Sequence, residues 1–590
     1  MKIDKGHTFH IPVLGIGYSA DTPAKVAKYG ISSVISLVDD TLLEHLRKMY
    51  QENNEEPFTP IPLKEEDSRA KRITAYLNTI NKTVKEQFEK LKESKFDIGS
   101  ELTKYFEMLP DLSELKEKYN QMLIARGKRK EKLQNWLREN IFHGSIDVNI
   151  MTKLDKTNYS IDNTELPQQF NDAHAALRGF ANSELESSII FSAGMNPRLY
   201  NYLETLKEFL PTIDGSFKKK IVIKVSDFRS AFIQGKYLAK KGLWVSEFRI
   251  ESGLNCGGHA FASDGFLLGP ILQEFKNRKE ELFNSIKELF IPAIANKELT
   301  INENNLNIDI TVQGGIGKSS EHDFLIRYFG VKSVGWGSPF LLVPETMNVD
   351  TDTLERLSCA GEDDLYLSDI SPLGVPFNSL KGNTKDLEKM DRLINGKPGS
   401  PCPKKFLVSN KDYSEKPLCP ASITFMKKIS ELKNADPASQ ELNDKFNWAA
   451  EKSCLCEGLS ASVYKANNIQ APKGSTTVSV CPGPNLAYFS KISTLKEMVD
   501  HIYGRINLIT NSERPNLFIK EIQLYIDYMH KRVSEEKLFN TFRNNIIDGI
   551  KYYRELLPEI KEETEKVRER IKEELDLLEE KLFSISVAAA

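Results

Sequence analysis

A histidine preceded by two glycines is the feature of this chain most suggestive of chemistry. The run reads Asn255-Cys256-Gly257-Gly258-His259 and follows an apolar, strand-like segment. Adjacent glycines carry no side chains, so a bulky planar ligand can approach the backbone closely there. Histidine exchanges a proton near neutral pH more readily than any other side chain. We therefore expect His259 to face a bound ligand at the end of a strand.

Two further glycine positions follow strand-like runs later in the chain. They are Gly314-Gly315 and Gly337-Ser338. A (β/α)8 barrel holds phosphate on the glycine-rich loops that follow its last two strands. The order of one histidine loop and two phosphate loops predicts a barrel that binds a phosphorylated cofactor, with the histidine over its reactive face.

Short apolar runs alternate with helical patterns, which is typical of βα units and a parallel sheet. In the first unit Thr22 and Pro23 open a helix as N-cap and first-turn residue, and Gly30 closes it. The predicted strands are residues 11–16, 32–38, 145–151, 187–192, 220–225, 244–251, 308–312 and 332–336. We predict an α/β fold, a (β/α)8 TIM barrel with a large helical insertion and a mainly helical C-terminal extension.

Changes in composition divide the chain into four parts. The predicted barrel comprises residues 1–40 and 141–385, and a charged helical insertion interrupts it at residues 41–140. Residues 386–490 form a segment rich in cysteine and proline, and residues 491–590 form a helical region. We interpret the insertion as a cap or lid, or equally as a packing or oligomer-forming element.

The overall composition excludes several classes of partner. The 590 residues carry a net charge of −3, so no broad basic surface for nucleic acid is expected. No apolar run approaches the ~18 residues of a membrane span, and the first residues lack the apolar core of a signal peptide. Seven cysteines, an odd number, argue against a disulfide framework in a chain of this size. We expect a cytoplasmic protein that binds neither nucleic acid nor membranes.

A series of motifs occurs in a fixed order along the predicted barrel. They are Ile11-Pro12 with Gly15 to Tyr18, Val148-Asn149-Ile150-Met151, Ala193-Gly194-Met195-Asn196-Pro197, Lys224-Val225-Ser226, Cys256-Gly257-Gly258-His259, Gly314-Gly315-Ile316, Gly337-Ser338-Pro339-Phe340 and Ser371-Pro372-Leu373-Gly374. Together they resemble the nitronate monooxygenases, also called 2-nitropropane dioxygenases, whose family includes the flavin enoyl-acyl-carrier-protein reductases. The CGGH run is similar to the family's EAGGH loop, and the next two motifs to its GGI and GTRF phosphate loops. The resemblance implies a TIM barrel that binds FMN.

The resemblance also implies roles for individual positions. The implied cofactor-binding residues are Gly15, Gly17, Asn149, Lys224, Gly257, Gly258, Gly314, Gly315, Gly337 and Ser338. Backbone N–H groups of the two phosphate loops would hold the FMN phosphate at a helix N-terminus. Lys224 would favour the anionic reduced flavin, or would simply be a strand-end lysine. His259 is implied to serve as acid or base for the substrate.

The chain departs from the family pattern on the substrate side. Its first loop reads Gly-Ile-Gly-Tyr where the family has Ala-Pro-Met, so Tyr18 is a candidate to stack on the substrate or to donate its hydroxyl. Asn255 stands where the family has an acidic residue and Cys256 lies beside it, so both are candidates for substrate contact. For Cys256, a buried inert thiol is the commoner environment. These changes leave nitroalkane oxidation, enoyl reduction and other hydride transfers open.

The segment 386–490 holds five cysteines. They are Cys402, Cys419, Cys454, Cys456 and Cys481. Cys-Pro pairs recur beside the ligands of iron–sulfur proteins, and a cluster needs four thiolates. The spacing matches no zinc motif. An iron–sulfur cluster on four of these thiolates is one interpretation, and buried thiols that pack the segment are the other.

We predict an FMN-dependent oxidoreductase of the nitronate monooxygenase type that acts on a small organic or acyl substrate. One alternative is a flavin-dependent enoyl reductase-like enzyme. Others are a flavin-binding subunit or scaffold of a larger complex, and a flavin-free isomerase or dehydratase. The sequence shows no Rossmann fingerprint, so NAD(P)H would bind transiently over the flavin, unless a protein donates the electrons. The amphipathic C-terminal helix is compatible with a homo-oligomer.

Overall fold

Eight parallel strands close into a barrel in this computed structural model, which describes residues 6–160, 162–192, 194–401, 403–472 and 476–585. The strands follow one another around the barrel in chain order, and β1 pairs with β8 to close it. They are β1 (Phe9–Ile11), β2 (Ser32–Ser36), β3 (Ile146–Met151), β4 (Ser187–Ser192), β5 (Lys219–Val225), β6 (Val245–Glu251), β7 (Asp309–Gln313) and β8 (Ser333–Gly335). The predicted fold class is confirmed.

Helices surround the barrel and continue beyond it. Those up to β3 are α1 (Thr22–Val26), α2 (Asp40–Asn53), α3 (Ser68–Glu93), α4 (Glu101–Met108), α5 (Glu114–Ile124) and α6 (Gly127–Asn140). Those that follow β3 to β8 are α7 (Asp172–Ala181), α8 (Pro197–Leu203), α9 (Phe228–Ala239), α10 (Leu268–Ala295), α11 (Ser319–Phe329) and α12 (Thr351–Cys359). The hairpin β9 (Leu365–Ser368) and β10 (Phe377–Leu380) then leads to α13 (Thr384–Ile394), α14 (Ile423–Ala435), α15 (Gln440–Ala450), α16 (Leu455–Ala466), α17 (Leu495–Ile502), α18 (Leu517–Arg532), α19 (Glu536–Leu556) and α20 (Glu565–Ser584).

The first βα unit differs in detail from the prediction. We expected its strand at residues 11–16, but β1 ends at Ile11 because Pro12 has no N–H to donate to the sheet. The next residues instead form a turn-rich loop at the carboxyl end of the barrel. The N-cap of α1 is Asp21, one residue before the predicted Thr22. Gly30 ends the helical segment in the left-handed region, at φ +81°, as predicted.

The helical insertion contributes to the ring of helices around the barrel. The residues that the structure describes between β2 and β3 include no strand, in agreement with the sequence pattern. Helix α3 packs against α1 and α7, the helices that follow β1 and β3. Helix α3 therefore occupies the position of the helix that follows β2 in a (β/α)8 barrel. Helices α4 to α6 are additional to the helices of such a barrel.

The interior of the barrel is a packed core with an apolar and a polar part. Val34, Ile190 and Val222 form a small cluster inside the barrel, separate from the large core outside it. On β6 and β7 the guanidinium Nε of Arg249 lies 2.8 Å from Glu247 and 3.3 Å from Thr311 Oγ1. These side chains close the barrel beneath its carboxyl end.

The chain beyond the barrel is more helical than its composition indicates. Helices α14, α15 and α16 were not predicted, because Pro, Ser, Asn and Lys are frequent there. Helix α17 begins at a capping box of Thr494 and Glu497, close to the predicted start of the helical region. No helix in the described ranges has both the length and the apolar character to cross a membrane.

Candidate active site

A cavity of about 460 Å³ lies at the carboxyl ends of the barrel strands. Every one of the eight strands contributes lining residues at or just after its carboxyl end. The volume is in the range of small-molecule and cofactor sites. Because (β/α)8 barrels bind their ligands at this end, the cavity is the candidate active site.

The floor of the cavity is polar, since the last residues of several strands point into the barrel. Asn149 Nδ2 donates to Ser192 Oγ over 3.2 Å. The Lys224 ammonium lies 2.8 Å from the Glu251 carboxylate, which also accepts a 2.6 Å hydrogen bond from Gln313 Nε2. The positive charge predicted at Lys224 is therefore offset by a carboxylate that sequence analysis did not identify.

Gln313 and Asn255 line the cavity, but their amide groups also contact the protein interior. A hydrogen bond with the Gln313 side chain opposes the lowering of the His10 pKa by burial. Asn255 Nδ2 donates to the carbonyl oxygen of Leu517 over 3.4 Å. The polar groups that the floor offers to a ligand are therefore those of Asn149, Lys224 and Glu251, which are suited to the polar edge of a heterocycle.

His259 lies on the wall of the cavity. Its Nε2 is 2.7 Å from Ser371 Oγ, and its ring packs edge-on against Phe377 with a centroid distance of 4.9 Å. Burial lowers the pKa of His259 to about 4, so the imidazole is neutral at pH 7. Nδ1 makes no hydrogen bond to any residue in the described ranges, which leaves this nitrogen to exchange a proton with a ligand.

The two glycines before His259 serve different purposes. Gly258 has φ +78°, and no described atom lies within 4 Å of the position that a Cβ would occupy there. A Cβ on Gly257 would instead collide with the carbonyl oxygen of Cys481. The absence of a side chain at Gly258 therefore leaves open space at the cavity. The absence of a side chain at Gly257 allows the backbone of Cys481 to approach.

Asn255 and Cys256 line the cavity next to these glycines. The Asn255 N–H donates to Ser252 Oγ over 3.3 Å, which fixes the start of the loop. Burial raises the pKa of the Cys256 thiol well above its usual range, and the nearby Glu251 carboxylate adds to the effect. Cys256 is therefore a protonated thiol at neutral pH, without the thiolate character of a reactive cysteine.

The predicted phosphate loops lie side by side on the rim. Gly314 and Gly315 follow β7 with φ values of +115° and +78°, a conformation that glycine adopts without strain. Gly337 and Ser338 follow β8 and also line the cavity. The backbone N–H groups of these four residues donate no hydrogen bond to any residue that the structure describes. They are therefore available to an anionic ligand.

Residues from beyond the barrel cover the cavity. Leu407 and two residues of α16, Leu455 and Leu459, supply an apolar part of the lining. Residues 481–485, which we call the strap, cross the rim and contribute Cys481 and Asn485. None of the residues 41–140 lines the cavity. The cover that we predicted in the helical insertion is thus supplied by residues 407–485.

Two of the predicted site residues lie elsewhere. A Cβ on Gly17 would lie 2.5 Å from Val463 Cγ2, so this glycine allows α16 to pack closely on the first loop. The Tyr18 side chain is buried, and its hydroxyl donates to the carbonyl oxygen of Ser479 over 2.6 Å. Neither residue lines the cavity. The structure therefore does not bring Gly17 and Tyr18 together with the other predicted site residues.

The cysteines of the downstream segment form no visible metal site. The structure shows no group of three or more potential ligands among the residues that it describes. Cys419, Cys454 and Cys456 are buried, whereas Cys481 lies in the strap beside the cavity. Cys402 lies outside the described residues. The iron–sulfur interpretation thus gains no support.

Several residues of the site were missed by sequence analysis. Glu251 and Gln313 are the last residues of β6 and β7, and Ser371 lies between β9 and β10. Alternation along β6 from Arg249 places Glu251 on the inner face, so strand periodicity was the available signal. Asn485 lies in a stretch, residues 482–486, that resembles a post-barrel segment of the family, but its place at the cavity depends on the path of the strap.

The closed barrel and the cavity at its rim define a (β/α)8 protein with its ligand site at the strand carboxyl ends. No family model and no curated protein matches the chain. Among solved structures, it is similar to the enoyl reductase domain of MlnA from the macrolactin biosynthesis cluster of Bacillus amyloliquefaciens, with 14% identity, a TM-score of 0.33 and coverage of 73% of this chain and 89% of that one.

Two further structures are similar to the chain. One is a FabK mutant from Thermotoga maritima, with 10% identity, a TM-score of 0.29 and coverage of 67% of this chain and 82% of that one. The other is a nitroalkane oxidase from Streptomyces ansochromogenes, with 11% identity, a TM-score of 0.30 and coverage of 78% of this chain and 97% of that one. With such low identities and TM-scores, the likeness transfers no residue role and no reaction to this chain.

Proposed function

We propose that this protein is an FMN-dependent oxidoreductase of the nitronate monooxygenase type that acts on a small organic or acyl substrate. One observation carries the proposal: a single cavity joins glycine loops with available N–H groups, a polar floor with Asn149, Lys224 and Glu251, and a neutral histidine. These three parts are suited to bind a phosphate, a polar heterocycle and a substrate proton, respectively.

The residues present fit FMN. The N–H groups of Gly314, Gly315 and Ser338 would hold the phosphate. Asn149, Lys224 and Glu251 would contact the polar edge of the ring, and the space at Gly258 would admit the ring itself. When bound, FMN supplies hydride or single-electron transfer.

His259 would move the substrate proton at Nδ1. Because the ring is neutral at pH 7, its Nδ1 has a lone pair that can accept a proton, although burial makes it a weaker base. Ser371 holds Nε2 over 2.7 Å and so fixes the orientation of the ring. In an oxidation His259 would take a proton from the substrate carbon. In a reduction the ring would first take up a proton from solvent, and the resulting imidazolium would donate it to the substrate.

The apolar cover favours a substrate with a hydrocarbon part. Leu407, Leu455 and Leu459 face the cavity, and their burial of a substrate chain would also exclude water from the reacting atoms. This lining supports an enoyl reductase-like reaction as the second candidate, with NAD(P)H as the electron donor.

An absorption spectrum of the purified full chain tests the proposal. We expect oxidised flavin bands, and acid treatment should release FMN. A colourless protein that also fails to bind added FMN would overturn it. A panel of nitroalkanes under air, and of enoyl thioesters with NADH or NADPH, then separates the two candidate reactions.

A further inference from the structure

We propose that Arg514, held in place by Asn485, is a positioning residue that turns the Ile316 N–H of the loop between β7 and α11 toward the FMN phosphate. The inference rests on the proposed function, and it goes further by assigning a role to the C-terminal part of the chain. Neither residue belongs to the barrel, and they are 169 and 199 residues from their partners in the loop.

Asn485 holds one carbonyl of the loop. Its Nδ2 donates to the carbonyl oxygen of Ile316 over 2.8 Å, and this contact is buried. Its Oδ1 accepts from Arg514 Nε over 2.8 Å. Both polar atoms of the amide are therefore used, so the side chain has a fixed orientation.

Arg514 holds the preceding carbonyl. It is fully buried, and its Nη2 donates to the carbonyl oxygen of Gly315 over 2.8 Å. The guanidinium also lies 2.7 and 2.9 Å from the two carboxylate oxygens of Glu321, a paired geometry that compensates the buried charge. Two successive carbonyls of the loop are thus tied to side chains.

Glu321 occupies two N–H groups between the loop and helix α11. Its carboxylate accepts from the N–H groups of Gly317 and Lys318 over 2.9 and 3.1 Å. These residues stand just before α11, where a helix usually offers donors to an anion. The two groups are therefore unavailable to a phosphate, whereas the N–H groups of residues 314–316 donate to no residue that the structure describes and lie at the cavity.

Those remaining donors need support, because glycine peptides rotate easily. Gly314 and Gly315 both have positive φ, and glycine has the largest conformational freedom of any residue. In a trans peptide the carbonyl and the following N–H point in opposite directions. Fixing the Gly315 carbonyl on Arg514 therefore turns the Ile316 N–H to the other side, where Ile316 lines the cavity. A rotated peptide would present a carbonyl oxygen to the phosphate and repel it.

The same strap also contacts the loops on either side. The Gly483 N–H donates to Ser338 Oγ over 2.7 Å, and the Gly258 N–H donates to the Cys481 carbonyl over 3.3 Å. Residues 481–485 thus connect the loops after β6, β7 and β8. The strap and Arg514 set the relative positions of the loops that would surround the cofactor.

Titration of the apo full-length protein with FMN and with riboflavin, which lacks the phosphate, tests the inference. The variants are Asn485→Ala and, as a matched control, Asn467→Ala. Asn467 also donates to a backbone carbonyl, that of Val463, over 2.9 Å, but lies outside the cavity lining. We expect the wild type to prefer FMN. Asn485→Ala should weaken FMN binding roughly tenfold, as loss of a buried hydrogen bond predicts, and leave riboflavin binding unchanged.

Hydrogen–deuterium exchange of the apo proteins gives a second readout that does not depend on activity. We expect faster exchange at residues 314–316 in Asn485→Ala and no change there in Asn467→Ala. If Asn485→Ala does not fold, Asn485→Ser replaces it, since serine is neutral and its shorter side chain loses the contact with Arg514.

The outcomes separate the two proposals. A wild type that binds neither flavin overturns the proposed function. A wild type that binds FMN and riboflavin equally, or an Asn485→Ala variant that keeps the full preference for FMN, leaves flavin binding standing and overturns the positioning role.

Discussion

His259 combines exposure to the cavity with an environment that keeps its ring neutral. Burial lowers its pKa to about 4, while Ser371 fixes Nε2 and Phe377 packs against the ring. A histidine in such a place stays neutral over the whole neutral pH range, with a lone pair on Nδ1. The functional importance of the position therefore follows from its surroundings as well as from its place in the glycine loop.

Replacement of His259 by alanine should separate binding from turnover. We expect His259→Ala to keep bound flavin, because the phosphate and ring contacts are made by other residues. Turnover should fall roughly 10²–10⁴-fold, the usual contribution of a general acid or base. Flavin absorbance and steady-state rates check this, with His143→Ala, outside the cavity lining, as the control. Unchanged turnover would show that His259 does not transfer the proton.

The ion pair on the cavity floor should tune the flavin potential. Glu251 offsets the charge of Lys224 across 2.8 Å. In Glu251→Gln the ammonium loses this partner, so the anionic reduced flavin is stabilised and the midpoint potential should rise, by roughly 30 mV for ~1.4 kcal/mol. A dye-coupled redox titration measures it, with Glu274→Gln on α10 as the exposed control. A lower or equal potential would mean that the pair does not act on the flavin.

The individual site residues were predictable where local sequence determines them. The glycines and His259 were found because they follow strands in recognisable loops. The burial of Tyr18 was not predicted, because its partner, the carbonyl of Ser479, is 461 residues away. No local pattern indicates that a tyrosine in the first loop is buried beneath a segment from the far end of the chain.

Among the elements, α16 determines the shape of the site. It packs on the first barrel loop and supplies Leu455 and Leu459 to the cavity. The approach is close because residue 17 has no side chain. The helix and the loop therefore form one unit, and the cover of the cavity depends on their contact.

Gly17→Ala should weaken this contact. The new Cβ would lie 2.5 Å from Val463 Cγ2 and 3.1 Å from the Leu459 carbonyl oxygen, so the helix must shift. We expect a loss of about 1–3 kcal/mol, typical of overpacking, visible as a lower midpoint of thermal unfolding. Gly361→Ala is the control, because the nearest atom to its Cβ would be 3.8 Å away. Addition of Val463→Ala should restore part of the stability; no recovery would assign the loss to another cause.

The elements differ in how well the sequence specifies them. Eight strands were located because apolar runs and βα alternation repeat along the chain. Helices α14, α15 and α16 were missed because their segment is rich in residues with weak helix preference. These helices are stabilised by packing, for example the cluster of Phe425, Met426, Ile429 and Ala449. Such tertiary stabilisation is not visible in local periodicity.

At the scale of the whole molecule, buried histidines link stability to pH. Burial lowers the pKa of His7 and His259 to about 4 and of His322 to about 3, and also lowers that of His10. Between about pH 4 and the usual value of 6.5 the unfolded chain binds more protons at these sites, so acid favours unfolding. Burial acts in the opposite sense on Asp323 and Glu521, whose pKa values it raises to about 6 and about 7.

We expect the histidines to dominate and the protein to lose stability on acidification. A histidine whose pKa falls from 6.5 to about 4 contributes about 3 kcal/mol that is fully lost near pH 4. Urea unfolding at pH 7.5 and pH 5 measures the change, and the midpoint should be lower at pH 5. The exposed His530, changed to Gln, should leave the difference intact. An equal or higher midpoint at pH 5 would show that the raised carboxyl groups prevail.

Because Arg514 holds part of the cavity rim in place, the rim is completed late during synthesis of the chain. The barrel strands, up to residue 335, leave the ribosome well before the strap and Arg514. Until then the carbonyls of Gly315 and Ile316 lack the side chains that hold them. A nascent barrel would therefore have its eight strands but an unfinished rim, and cofactor would be captured after release of nearly the whole chain.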